Sequence, residues 1–178
     1  MNPHCDIANV ILIGMPAVGK STLGVLLAKR LGFAFMDTDL VIQTDHKATL
    51  SEIIRRQGMA AFCRIEADII QNLSTIQTVI ATGGSVVYSD RAMARLNQLG
   101  RILFLDIGLA PLMDRLSNLD SRGVVYMPGQ TIEQLYAERR PLYRRHAHLT
   151  IPCTDRTPEQ LVQRMLADLG QDPLVRFR

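Results

Sequence analysis

The sequence predicts an α/β fold: a five-stranded parallel sheet flanked by helices on both faces. Three observations carry that prediction. Short apolar runs alternate with helix-period segments along the chain. The first run ends in a glycine-punctuated loop that opens a helix. Gly14, Asp37 and Gly83 fall where the first three runs end. Alternation of this kind builds a parallel sheet through right-handed crossovers, and such sheets bind ligands at the carboxyl ends of their strands.

The first element is the strand 9–14, Asn9-Val-Ile-Leu-Ile-Gly14, with a helix over 20–31 behind it. Between them, Gly14 to Ser21 spells G-x-x-x-x-G-K-S, a phosphate-binding P-loop in its required strand–loop–helix context. Such a loop turns backbone N–H groups inward as an anion nest, and the helix dipole adds to the same spot. The nucleotide-binding set is therefore Gly14, Ala17, Val18, Gly19, Lys20, Ser21 and Thr22. Lys20 can reach the β- and γ-phosphates, and the Ser21 hydroxyl can ligate Mg²⁺. Ala17 stands where many small-molecule kinases carry a further glycine, and φ is expected below zero there.

The remaining elements follow in order. Phe33-Ala-Phe-Met36 reads as a short strand ending at Asp37, then helices at about 49–57 and 60–74 flank a break at Gly58. A strand over 77–82 runs into Gly83-Gly84, helix 90–99 stops at Gly100, and the next strand is 101–106. Pro111 opens a helix to about Asn118, and residues 119–130 read as a mobile loop. The helix over 131–145 contains Pro141, which is expected to kink or divide it. A last short strand ends at Thr150-Ile-Pro152, and Thr157-Pro158 caps the final helix. This is a single domain over 1–178. Its core covers about 8–37, 76–116 and 147–170, with substrate-binding helices at 38–75 and a lid at 117–130.

Composition narrows the function. The 178 residues are 47% hydrophobic and 21% charged, ordinary values for a globular protein. No apolar run approaches the roughly 18–20 residues of a membrane span, and a signal-peptide pattern is missing, so a cytoplasmic location is expected. A monomer is expected as well. Cys5, Cys63 and Cys153 are scattered and odd in number, which fits reduced thiols. His146 and His148 read as polar residues beside a strand. The net charge of +3 is built from 17 Arg against 3 Lys. Arginine's planar fork recognises phosphate and carboxylate bidentately, and no basic run is interleaved with aromatics. The partner is thus a small acidic molecule, with neither nucleic acid nor membrane expected.

Phosphoryl transfer also needs carboxylates near the phosphates. Asp37-Thr38-Asp39 supplies two acids which, if the segment stays extended, lie on one face. One would serve Mg²⁺ through water and the other would take the acceptor's proton; the competing reading is a helix N-cap. Thr82-Gly83-Gly84-Ser85 allows a ligand close to the backbone. Of the arginines in the C-terminal half, Arg122 is the candidate to close on the transferring phosphate. Asp120-Ser-Arg-Gly123 matches a GTPase D-x-x-G only by spelling, since no guanine signature accompanies it.

Together these pieces resemble the shikimate kinases, within the nucleoside-monophosphate-kinase branch of P-loop proteins, from Val10 to about Leu169. The matching motifs are the P-loop, Asp37-x-Asp39, Phe62-x-x-x-Glu66-Ala-Asp68, Gly83-Gly84, the lid arginine and Glu138-Arg-Arg-Pro-Leu-Tyr-Arg-Arg145. The resemblance implies phosphorylation of shikimate's 3-hydroxyl by ATP with Mg²⁺. It implies Lys20 and Arg122 on the phosphates, Ser21 and Asp37 at the metal, and Asp39 polarising the acceptor hydroxyl. Gly83 and Gly84 would line the substrate, Arg139 would pair with its carboxylate, and Arg115 and Arg156 would flank adenine.

Three positions depart from the family pattern. Cys63, followed by Arg64, replaces the arginine of Phe-Arg-x-x-Glu that grips the carboxylate. Gly83-Gly84-Ser85 replaces three glycines, and Arg122-Gly-Val-Val replaces Arg-Pro-Leu-Leu. Losing one buried guanidinium–carboxylate contact costs on the order of 2–5 kcal/mol, or roughly 30- to 5000-fold in binding. Arg64 could compensate only from about 100° further round the helix. Alternatives are therefore a kinase of another small alcohol (homoserine- or gluconate-like), a non-catalytic nucleotide-binding module, or a nucleoside-monophosphate kinase using Arg55, Arg56 and Arg64.

Overall fold

The computed structural model describes residues 9–117 and 129–172. Five strands, β1 (Asn9–Ile13), β2 (Ala34–Asp37), β3 (Thr78–Ala81), β4 (Arg101–Asp106) and β5 (Leu149–Pro152), form one all-parallel sheet in the order β2-β3-β1-β4-β5. β1 and β3 are buried at every residue, as interior parallel strands covered on both faces must be, and this is why they read as unbroken apolar runs. Asn9 is the polar exception. Its Nδ2 donates to Thr75 O and Leu99 O, both at 2.8 Å, and its Oδ1 accepts from Thr78 N, tying together the entries of three neighbouring strands.

The helices among the described residues are α1 (Lys20–Leu31), α2 (Thr38–His46), α3 (Leu50–Gln57), α4 (Met59–Gln71), α5 (Asp90–Leu99), α6 (Leu109–Ser117), α7 (Ile132–His146) and α8 (Pro158–Gln171), with a short 3-10 turn at Val86–Tyr88. α1 packs with α8, and α4 packs with α5. Thr49, Thr131 and Thr157 each close a capping box with the residue three positions on, which fixes where α3, α7 and α8 begin. α2, α3 and α4 share a small apolar cluster of Ile42, Ile53 and Phe62, distinct from the main core on the sheet.

Four local expectations are corrected. Asp37 to Asp39 is not extended: Asp37 caps α2, its carboxylate accepting from Asp39 N and Leu40 N. Here the N-cap alternative is the correct one, because the orphan amides of the first turn find their acceptor in that carboxylate. α6 starts at Leu109, so Pro111 lies in its first turn, where a missing N–H costs nothing. α7 runs through Pro141 without a break, its buried Leu135, Arg139 and Tyr143 holding both halves against the core. Ala17 has φ 63°, left-handed rather than negative.

The last of these is strain imposed by the loop, since a left-handed alanine is disfavoured by about 1 kcal/mol. Ala17→Gly is expected to raise the melting temperature by about 2–4 °C per kcal/mol relieved. Ala17→Val is expected to lower it. Thermal unfolding followed by circular dichroism checks both, and an unchanged or lower melting point for the glycine variant contradicts the account.

Candidate functional site

The loop after β1 leaves the sheet at its carboxyl edge. Gly14, Ala17 and Gly19 all have positive φ, at 146°, 63° and 103°. Residues of alternating hand turn successive N–H groups to one side, forming an anion nest. α1 then begins without a side-chain cap, which leaves its first amides for an anionic ligand. A side chain at Gly14 would meet Leu105 O at 2.8 Å, so only glycine lets the loop sit down on β4.

Lys20 Nζ donates to Gly14 O and Met15 O, both at 2.9 Å. Burial pulls its ammonium down to about 8, against the opposing pull of Asp39 and Asp37. It stays charged at neutral pH and is parked on the loop's own carbonyls. Ser21 Oγ donates to Asp37 Oδ2 at 2.6 Å, while Asp37 Oδ1 serves the cap of α2. Among the described residues no three His, Cys, Asp or Glu side chains form a metal cluster. The Ser21–Asp37 pair fits magnesium nonetheless, which takes one or two protein oxygens and keeps several waters.

The acceptor side is assembled at the end of β3. Gly83 N donates to Thr38 Oγ1 at 3.2 Å, locking the start of α2 to the strand end and setting Asp39 above it. Burial pushes the Asp39 carboxyl up to about 6, partly offset by Lys20. Glu66, reaching in from α4, is pushed up to about 7 by burial and holds one hydrogen bond, accepted at Oε2 from Ser85 Oγ at 2.8 Å. A side chain on Gly83 would meet Glu66 Oε1 at 2.2 Å and Asp39 Oδ1 at 2.7 Å. The missing side chain at 83 is therefore what makes room for two converging carboxylates.

Arg139 of α7 is 1% exposed. Its Nε donates to Tyr88 Oη at 3.0 Å, its guanidinium lies 5.0 Å from the Tyr88 ring centroid, and a side chain at Gly84 would meet Nη1 at 3.1 Å. Cys63 lies one helical turn before Glu66. Burial, then Glu66, push its thiol up, while Arg139 pulls it down. Cys63 thus stands beside this chamber as a neutral thiol, and Arg64, the next residue of α4, is exposed.

Arg115 Nη1 donates to Val18 O at 2.9 Å, which puts α6 against the phosphate loop. Burial pushes the Cys153 thiol up to about 12, and Arg115 and Arg156 both pull it down. Thr22 is exposed beside Ser21 on α1. Arg122 and most of the expected lid lie outside the described residues.

Residues 16–170 match the family described as shikimate kinase. The chain belongs to the shikimate kinase family. It is 32% identical to a shikimate kinase of Alkaliphilus oremlandii over 92% of this chain and 99% of that one. Against one of a Synechococcus species it is 35% identical, covering 93% and 89%. The solved shikimate kinase of Acinetobacter baumannii, in complex with shikimate, superposes with a TM-score of 0.87 at 29% identity, covering 95% of this chain and 96% of that one. The chain is thus an ATP- and Mg²⁺-using phosphotransferase with an alcohol acceptor.

For a shikimate kinase family member, the sequence pointed to most of this site but not to the partners that set it. Glu66 was legible as one residue of a motif, and its signal was an acid on the apolar Phe62–Ala67–Ile70 face of a helix. Ser85 read only as a departure from a third glycine, and Thr38 and Tyr88 carried no signal of their own. The geometry at Gly83 makes a prediction. Gly83→Ala should raise the acceptor KM on the order of 10- to 100-fold by overpacking the chamber. ATP affinity, set on the far side of Lys20, should change little. Steady-state kinetics with each substrate varied separately decides it, and an unaltered acceptor KM would show that the acceptor binds elsewhere.

Proposed function

We propose that this protein transfers the γ-phosphoryl group of ATP to a ring hydroxyl of shikimate. The observation that carries the reading is the placement of Asp39 between Lys20, at the mouth of the phosphate cradle, and Gly83, at the floor of a buried chamber. In this reading the cradle from Gly14 to Thr22 holds the phosphates, and Lys20 leaves its loop carbonyls for the β- and γ-oxygens. Ser21 and Asp37 would hold the magnesium, which neutralises charge on the β- and γ-oxygens. Arg115 and Arg156 flank the base, and Arg122 closes over the transferring group.

Asp39 accepts the hydroxyl proton while that oxygen attacks phosphorus and the bond to the β-phosphate oxygen breaks, releasing ADP. A carboxyl poised near 6 is mostly ionised at neutral pH and becomes a competent base there, whereas at its ordinary value it would be a weaker one. Arg139 pairs with the substrate carboxylate, and Gly83 and Gly84 let the ring approach the backbone. The division into a sheet-bearing core, the acceptor helices 38–75 and a lid at 117–130 is part of this proposal, as are a monomeric state and a cytoplasmic location. Among the described residues no helix is long and apolar enough to cross a membrane.

One observation favours a second reading. Cys63 stands beside the chamber without charge and Arg64 is exposed, so the family's second carboxylate-binding arginine has no counterpart at residue 63. A different small hydroxy acid, homoserine- or gluconate-like, is the alternative acceptor. ADP release across a panel of small alcohols separates the two, and shikimate is expected to exceed the others clearly. Asp39→Asn should lower kcat ~10²–10⁴-fold, with ATP affinity nearly unchanged. No turnover of shikimate by a folded sample at millimolar concentration, or full activity of the asparagine variant, would reject this function or this base respectively.

A further inference from the structure

Tyr88 belongs to none of the sequence motifs, yet it touches the buried cation of the acceptor chamber. It ends the 3-10 turn that follows Gly84-Ser85. Its phenol oxygen accepts from Arg139 Nε at 3.0 Å, and the guanidinium lies over its ring at 5.0 Å from the centroid. The phenol's own proton goes to Glu138, the neighbour of Arg139 on α7, and Glu138 Oε2 accepts in turn from Gln130 Nε2 at 2.7 Å. Tyr143 is a second grip: it accepts from Arg139 and donates to Gly84 O at 2.6 Å. Both phenols are neutral acceptors, so they fix the guanidinium without cancelling its charge as a carboxylate would.

The two phenols differ in what else they do. Tyr143 is fully buried and stacked on Phe104, so the core needs it whatever the ligand. Tyr88 is 39% exposed, and the polar contacts of its phenol run to Arg139 and Glu138. Resting on the pairing of Arg139 with the acceptor's carboxylate above, we infer that Tyr88 is a positioning residue that aims the Arg139 guanidinium at that carboxylate. It holds the fork by Nε and by its face, while Nη1 lies 3.1 Å from the point where a Gly84 side chain would begin. A planar fork pairs bidentately only when its plane is set, and setting it beforehand spares the ordering cost on binding. Residue 63 supplies no charge here, which adds to the weight carried by the aim of Arg139. Burial holds the phenol above its ordinary pKa, against the bond from Arg139, so at neutral pH it keeps the proton shared with Glu138.

The test compares shikimate with its carboxamide, which keeps the hydroxyls and loses the charge, by ADP release with ATP and magnesium. Tyr88→Phe keeps the ring face and loses the oxygen. It should raise the KM for shikimate on the order of 10-fold, with the loss falling on KM rather than kcat. Tyr88→Leu loses both contacts and should raise that KM on the order of 30-fold or more. The carboxamide gains little from an aimed cation, so its kcat/KM should fall by less than about 2-fold in either variant. The preference for the acid therefore shrinks, whereas a general structural defect would weaken both compounds alike. A second readout needs no turnover. In protein labelled at arginine side chains, the Nε–H resonance of Arg139, assigned with Arg139→Lys, should shift and exchange faster with water in Tyr88→Phe. An unchanged shikimate KM in both variants, an equal loss for acid and carboxamide, or an unmoved Arg139 resonance overturns the inference while leaving the kinase reading intact. Failure of the wild type to phosphorylate either compound would remove both.

Discussion

The structure depends on how closely two acids can be brought to one strand end. β3 stops at Ala81, Gly83 donates its amide to Thr38, and the space a side chain would fill is taken by Asp39 and Glu66. Burying two carboxylates side by side is unfavourable, and the protein answers with protons and cations rather than with distance. Lys20 opposes the rise at Asp39, and Arg139 and Lys20 oppose it at Glu66. α1, α2, α4 and α7 each contribute one of these four charged residues.

The phosphate loop is the second strained feature. It places an alanine in the left-handed region and leaves the first amides of α1 uncapped, both unfavourable in the absence of an anion. Lys20 resting on Gly14 O and Met15 O is the corresponding resting state of the cation. Binding a polyphosphate would supply acceptors for the amides and draw the ammonium outward. The strain is thereby concentrated where charge must later be stabilised.

Much of this was readable from residues alone. The P-loop announces itself because its glycines, lysine and serine must occur at fixed offsets, and the interior strands do so because parallel strands are apolar on both faces. What was hidden depends on tertiary contacts. The short α2 starts inside an Asp-Thr-Asp that is equally compatible with an extended segment, and the Asp37 cap together with the Thr38–Gly83 bond selects the helix. Pro141 is tolerated because Leu135, Arg139 and Tyr143 anchor α7 on both sides of it, with Tyr143 stacked on Phe104 at 5.2 Å. The pairing of Ser85 with Glu66 joins residues 19 apart and has no local signature.

The most direct test of this electrostatic core is a titration of carboxyl carbons by NMR, in protein labelled at Asp and Glu side chains and assigned with the Asp39→Asn and Glu66→Gln variants. The account predicts that Asp39 titrates near pH 6 and Glu66 near pH 7, both above the ordinary carboxyl range. If both lose their protons near pH 4, as solvated carboxyls do, the chamber is neither dry nor shared, and the account is contradicted.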